Sequence, residues 1–156
     1  SLFAHEGPVV DDYRERLAKY STAVMGRRTY ETGYRFGLKP GDNPYASMST
    51  YVVSGSIDLP ADRAVTVMPQ INADSLNQLK QEADGPVYLC GGGDFAGGLL
   101  KMRLIDRVVL KRAPVFLGQG VRLFGDTCPA LAPFLLSTST YENGYVLQEF
   151  DLNRKS

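Results

Sequence analysis

Short apolar runs alternate along this chain with segments whose apolar residues recur at helical spacing, and no other feature constrains the fold as much. Residues 8–20 place Val9, Tyr13, Leu17 and Tyr20 on one face behind Pro8, with charged residues between them, and read as an amphipathic helix. STAVMG from Ser21 reads as a buried strand, and residues 28–33 as one or two helical turns. TYVVS (50–54) and AVTVM (64–68) are β-branched and read as strands. Asp74 is the expected N-cap of a helix reaching Ala83. PVYLC (86–90) is the next strand, 94–103 a helix and RVVLKRAPVF (107–116) a long strand. FLLSTSTYE and YVLQEFDL flank Asn143 and Gly144, the pair suited to a type I′ hairpin because both central residues take positive φ. The order predicts an α/β fold of three layers, αβα, with a mainly parallel sheet and a C-terminal antiparallel hairpin. At 156 residues, without repeat or linker, the chain reads as one domain spanning 1–156.

Composition removes several functions. Lys plus Arg and Asp plus Glu are 17 each, so there is no net field to hold nucleic acid or an acidic membrane surface. The longest apolar candidate, ALAPFLL from Ala130, is broken by Pro133 and falls far short of the roughly 18 residues that cross a bilayer. A single His and two Cys supply neither a histidine-rich metal site nor a four-ligand zinc site nor a disulfide framework. His5 lies in a polar stretch with Glu6 directly after it, and Cys90 and Cys128 are 38 positions apart, so zinc-deaminase elements are missing. The two thiols fit a reducing compartment, and the chain reads as cytoplasmic.

Three predicted strand ends carry candidate chemistry. Gly26, Arg27, Arg28 and Thr29 combine a side-chain-free backbone with two guanidinium groups and a hydroxyl, the donors that phosphates need. Ser54, Gly55 and Ser56 follow TYVVS and suit a ribose or phosphate, or an ordinary turn. Cys90, Gly91, Gly92, Gly93, Asp94 and Phe95 form a glycine-rich strand-to-helix turn, and Gly91, Gly93 and Ala96 satisfy G-x-G-x-x-A. All three would lie along one edge of a parallel sheet, where such folds bind ligands. No G-x-x-x-x-G-K-[ST] occurs, which excludes a P-loop nucleotidase.

VMGRRTYE, YVVSGS, VYLCGGGDFAGGLL and LIDRVVLKRAPVFLGQGVRLF, in that order, resemble the dihydrofolate reductase-like superfamily. The branch they most resemble holds the reductase domain of the bifunctional riboflavin-biosynthesis enzyme and its stand-alone relatives. The resemblance implies NADPH as cofactor, bound by Gly26 to Thr29, with Arg27 or Arg28 at the 2′-phosphate and Thr29 at the pyrophosphate. It places Ser54 and Gly55 at the adenine-ribose end. Gly91 and Gly92 match the family's Gly-Gly pair, often joined by a cis peptide, with Cys90 on the pocket floor and Gly93, Asp94 and Phe95 completing the turn. The implied activity is hydride transfer to a small heterocycle, as in 5-amino-6-(5-phosphoribosylamino)uracil reductase. The proton-donating carboxylate of the folate enzymes has its nearest counterparts in Asp11 and Asp12. The resemblance also implies a homodimer through the C-terminal strands, and a first strand that the sequence given does not contain.

Two enzyme alternatives and one non-enzyme alternative remain at this stage. A dihydrofolate or pteridine-type reductase would share the cofactor edge. In a dinucleotide-binding dehydrogenase the fingerprint normally follows the first strand, whereas here it follows the fourth. A relative that binds NADPH or forms dimers without turnover would keep the fold alone.

Overall fold

The structure, a computed structural model, describes residues 3–126 and 128–155. Four parallel strands, β1 (Thr22–Gly26), β2 (Ser49–Val53), β3 (Thr66–Met68) and β4 (Val87–Gly91), form one sheet in the order β3-β2-β1-β4. Three antiparallel strands, β5 (Arg107–Arg112), β6 (Pro133–Thr140) and β7 (Val146–Lys155), form a second in the order β5-β7-β6. The expected hairpin is therefore present, but it extends β5 rather than the parallel sheet.

β1 shows why the parallel sheet is covered on both faces. Successive side chains of a strand point to opposite sides, and Val24 and Met25 are both 2% exposed. Val24 packs with Leu76, Leu79 and Leu99, from α3 (Ala73–Glu82) and α4 (Gly93–Lys101). Met25 packs with Tyr30 of α2 (Arg27–Thr32), Val52 and Val65. Tyr30 is satisfied inside this second core: its hydroxyl donates to the Asp42 carbonyl at 2.9 Å and accepts from the Gly41 N–H at 2.9 Å. The segment from Gly33 begins as a 3₁₀ turn, Gly33–Phe36, and its loop brings Leu38 and Tyr45 onto this face.

The first helix, α1 (Pro8–Leu17), reaches both sheets. Its Tyr13 hydroxyl lies 2.9 Å from that of Tyr88 on β4, while its Arg16 pairs with Glu149 on β7 at 3.3 Å. Val9 is fully buried. No helix is long and apolar enough to cross a membrane among the described residues.

Three local expectations are corrected. α3 is capped by Asn72, whose side chain accepts from the Ser75 N–H while the Ser75 hydroxyl accepts from the Asn72 N–H. Asp74 lies within the first turn instead. The strand from Arg107 stops at Arg112, two residues before Pro114, which has no N–H to give a ladder; Phe116 beyond it is fully exposed. In the hairpin only Gly144 takes positive φ (81°), and the Gly144 N–H donates to the Tyr141 carbonyl at 2.8 Å. This is a turn closed by one left-handed glycine, not a type I′ pair.

Because the reciprocal cap belongs to Asn72, Asn72→Ala is expected to cost about 1 kcal/mol in urea denaturation, and Asp74→Ala only a few tenths, the size of a helix-dipole effect.

Candidate functional site

β1 lies between β2 and β4, with Gly26 in register with Val53 and Met25 with Gly91. The segments that leave these strands, beginning at Arg27, Ser54 and Gly92, therefore emerge along one edge of the sheet. The three candidate segments are brought together here.

Two glycines are required by what crosses them. A Cβ on Gly26 would come 3.3 Å from the Phe95 Cβ, and one on Gly92 would come 3.1 Å from the Thr29 hydroxyl oxygen. Thr29 and the Gly92 backbone thus converge on one point. A cis peptide joins Gly91 to Gly92. Gly93 lies under a segment that sequence reasoning did not associate with the site: its Cβ would come 2.5 Å from the Arg122 carbonyl oxygen.

The arginines are held by weak, exposed partners. Arg27 donates through Nη1 to the Ser56 hydroxyl at 2.8 Å and pairs through Nε with Glu31 at 3.0 Å. Arg28 pairs with Asp94 at 3.3 Å, with side chains 91% and 75% exposed. The Ser54 hydroxyl oxygen accepts the N–H groups of Ser56 and Ile57 at 3.2 and 2.9 Å, which fixes the turn. Gly55 has ordinary room around it: a Cβ would come no nearer than 3.5 Å to the Pro69 carbonyl oxygen.

Below the Gly91–Gly92 pair lies a cluster of neutral donors. The Cys90 sulfur is 2.9 Å from the Tyr45 hydroxyl, and the Tyr45 ring meets the Tyr88 ring edge-on at 5.7 Å. Burial raises the pKa of all three groups, most strongly for Tyr88 and Tyr45, so the thiol and phenols stay protonated at neutral pH. Tyr88, Cys90, Gly91, Gly92 and Gly93 all line a cavity of about 730 Å³. The phenols of Tyr13 and Tyr88 were not read as site residues from sequence. The two-residue spacing of Tyr88 and Cys90 puts both on one face of β4, and that was the available signal.

Asp11 and Asp12 do not line this cavity. Asp11 pairs with Arg14 on the surface at 3.7 Å. Asp12 accepts hydrogen bonds from the Tyr141 hydroxyl and from Arg16, and the Tyr141 bond is the main cause that holds its carboxyl below the usual range. Among the described residues no group of three or more His, Cys, Asp or Glu side chains is placed to hold a metal ion.

The family model of the RibD C-terminal domain matches residues 7–147. The chain belongs to the RibD C-terminal domain family. This is a reductase-type family. The uncharacterized protein YwjB of Bacillus subtilis is 29% identical over 119 residues, covering 76% of this chain and 67% of the relative. A candidate riboflavin biosynthesis protein of Shewanella sp. PV-4 superposes with a TM-score of 0.74 at 23% identity, covering 96% of this chain and 82% of that one. Dihydrofolate reductase from Enterococcus faecalis, complexed with NADP(H), superposes with a TM-score of 0.63 at 18% identity, covering 93% and 83%. The fold is dihydrofolate reductase-like, as the resemblance in sequence implied.

Tyr141→Phe removes the bond that does most to lower the Asp12 pKa. A depressed folded pKa contributes stability above the unfolded value of about 3.9 and loses it as pH falls through the folded value. With Asp12 and Arg16 each 31% exposed, solvent screening reduces the usual 1.5–3 kcal/mol of a charged hydrogen bond to about 1 kcal/mol. Urea denaturation at pH 7 should show that loss, and the difference from the parent should shrink in acid below about pH 3.9.

Proposed function

We propose that the protein is an NADPH-dependent reductase that delivers hydride to a small heterocyclic substrate of the kind reduced in riboflavin biosynthesis. The supporting observation is the convergence of Arg27, Arg28, Thr29, Ser54 and the Gly91–Gly93 backbone along one edge of a parallel sheet. These groups fit a dinucleotide phosphate. Thr29 opposes Gly92 where any Cβ would narrow the space between them, and both arginines have exposed guanidinium groups.

In this reading Arg27 and Arg28 take the 2′-phosphate, Thr29 and the Gly92 backbone the pyrophosphate, and Ser54 with Gly55 the adenine-ribose end. Asp94 keeps Arg28 aimed across the edge, and Phe95 packs over Gly26 to set the spacing between β1 and α4. NADPH, when bound, supplies the hydride, and the protein aligns the reacting carbon and delivers a proton. Cys90 and Tyr88 line the cavity as neutral donors, and their raised pKa values suit them to give hydrogen bonds rather than to act as bases. They sit closer to the Gly91–Gly92 pair than Asp11 or Asp12 does along the chain, and unlike these they face the cavity.

Titrating the protein with NADPH and NADH while following cofactor fluorescence tests the assignment. A charge-assisted contact to the 2′-phosphate of about 1.5–3 kcal/mol gives NADPH a preference of roughly 10- to 150-fold. Arg27→Ala or Arg28→Ala should remove most of that preference while leaving NADH binding near its original strength. Equal affinity for both cofactors in the parent protein would overturn the assignment. NADPH binding without oxidation across pyrimidine, pterin and flavin-precursor substrates would leave a binding protein instead.

A further inference from the structure

Thr29 approaches the glycine turn after β4 at Gly92, and a second turn, from Arg122 to Gly125, approaches it at Gly93. This second turn is closed by the Gly125 N–H, which donates to the Arg122 carbonyl at 3.2 Å. The two backbones meet through glycines on both sides. A Cβ on Gly93 would come 2.5 Å from the Arg122 carbonyl oxygen and 3.1 Å from the Gly125 nitrogen. A Cβ on Gly125, where φ is +61°, would run into the Asp94 carboxylate and come 3.0 Å from the Asp94 Cα and 3.1 Å from its nitrogen. Rotating the Asp94 side chain does not relieve contacts with its backbone, so any larger residue at 125 lifts the turn away from α4.

We propose that Arg122 is a dinucleotide-binding residue whose guanidinium takes the pyrophosphate, the anion that NADPH and NADH share. The proposal rests on the dinucleotide reading above, but not on the choice between the two cofactors.

Three observations carry it. First, the groups that reading gives to the pyrophosphate, Thr29 and the Gly92 backbone, are neutral donors. A pyrophosphate brings negative charge on both of its phosphates, and charge taken out of water needs a charged partner. Second, Arg122 lines the same cavity of about 730 Å³ as Gly91, Gly92 and Gly93. Lys80 and Arg107 line it as well, but they are bound to Asp106 at 2.5 Å and to Glu149 at 3.0 Å, at the entrance to β5. Arg122 is the lining cation whose own backbone rests on the glycine turn.

Third, its present partner is one that a phosphate displaces. Arg122 pairs with Asp126 at 2.8 Å, with side chains 76% and 84% exposed, in the same i,i+4 arrangement as Arg27 with Glu31. Exposed pairs of this kind contribute little, and two phosphate oxygens fit the planar fork better than one carboxylate contact. Asp94 ties this turn to the other arginines: its carboxylate lies against Gly125 and pairs with Arg28 at 3.3 Å. The Arg28 end and the Arg122 turn therefore keep a fixed spacing, as two separate phosphate groups of one ligand require.

Calorimetric titration with NADPH, NADH and 2′-AMP tests this. Arg122→Ala is expected to weaken both dinucleotides by the same factor, about 3- to 10-fold, the range of a charge-assisted contact after solvent screening. It should leave 2′-AMP, which has no pyrophosphate, unchanged, and Arg122→Lys should lose less than Arg122→Ala. Gly125→Ala alters no charge but should weaken both dinucleotides, whereas Gly120→Ala, whose added Cβ meets nothing within 4 Å, should weaken neither. Unchanged dinucleotide affinity in Arg122→Ala overturns the proposal, as does a loss confined to NADPH or one that extends to 2′-AMP. If the parent binds NADPH and NADH equally and Arg122→Ala weakens both, the proposal stands and the 2′-phosphate assignment falls. A parent that binds neither dinucleotide overturns both. Full affinity in Gly125→Ala overturns the placement of the turn; where urea denaturation shows that this variant does not fold, the exposed Arg122 decides alone.

Discussion

The candidate site depends on β1 being held from four directions at once. β2 and β4 fix it in the plane of the sheet, and two separate apolar clusters fix it from above and below through Val24 and Met25. Burying each such side chain is worth about 1.5–3 kcal/mol, so the strand has no freedom to slide: a one-residue slip would exchange the two faces. Gly26, at its end, then has a fixed position against Phe95, and the arginines that follow inherit it. The candidate groups are carried on a turn, but their placement is set by the core.

The second sheet is joined to the first by different means. α1 reaches β4 through Tyr13 and Tyr88, and reaches β7 and the hairpin turn through Arg16, Glu149, Asp12 and Tyr141. Lys80 of α3 adds a pair to Asp106 at 2.5 Å, at the entrance to β5. Burial opposes the charge on Asp106, but hydrogen bonds from Lys80 and Asn153 outweigh it and hold the carboxyl below its ordinary range. Polar contacts of this kind bring the sheets together without backbone pairing between them. They are directional but individually modest, each about 1 kcal/mol.

How much of this was legible in the sequence follows from the range of the interactions involved. The strands and helices of the parallel unit are local patterns: Val24 and Met25 both lie in an apolar run of the right length, and Leu76 and Leu79 mark a helical face. The strand-end motifs were legible because glycine, arginine and hydroxyl residues cluster where an apolar run stops. Asn72 was missed as a cap because Asp74, two residues on, is as good a capping residue, and only the Ser75 reciprocal bond decides between them. The division into two sheets was not legible, since edge pairing is a long-range property. The phenol and thiol cluster was likewise hidden: Tyr13, Tyr45, Tyr88 and Cys90 come from a helix, a loop and a strand, and meet only after folding.

The absence of net charge takes on a different meaning once the arginines are placed. Equal numbers of acidic and basic residues argued against a polyanion partner, but they do not argue against one phosphate group. Arg27 and Arg28 each have a carboxylate partner, Glu31 and Asp94, and these pairs are exposed. Exposed pairs contribute about 0–1 kcal/mol, so such a carboxylate orients a guanidinium at little energetic cost and yields to a stronger acceptor. A phosphate that offers more than one oxygen to the planar fork is such an acceptor. Neutral overall charge with two pre-aimed guanidinium groups therefore favours a small, strongly charged ligand over an extended one, and on the proposed reading that ligand is a dinucleotide phosphate.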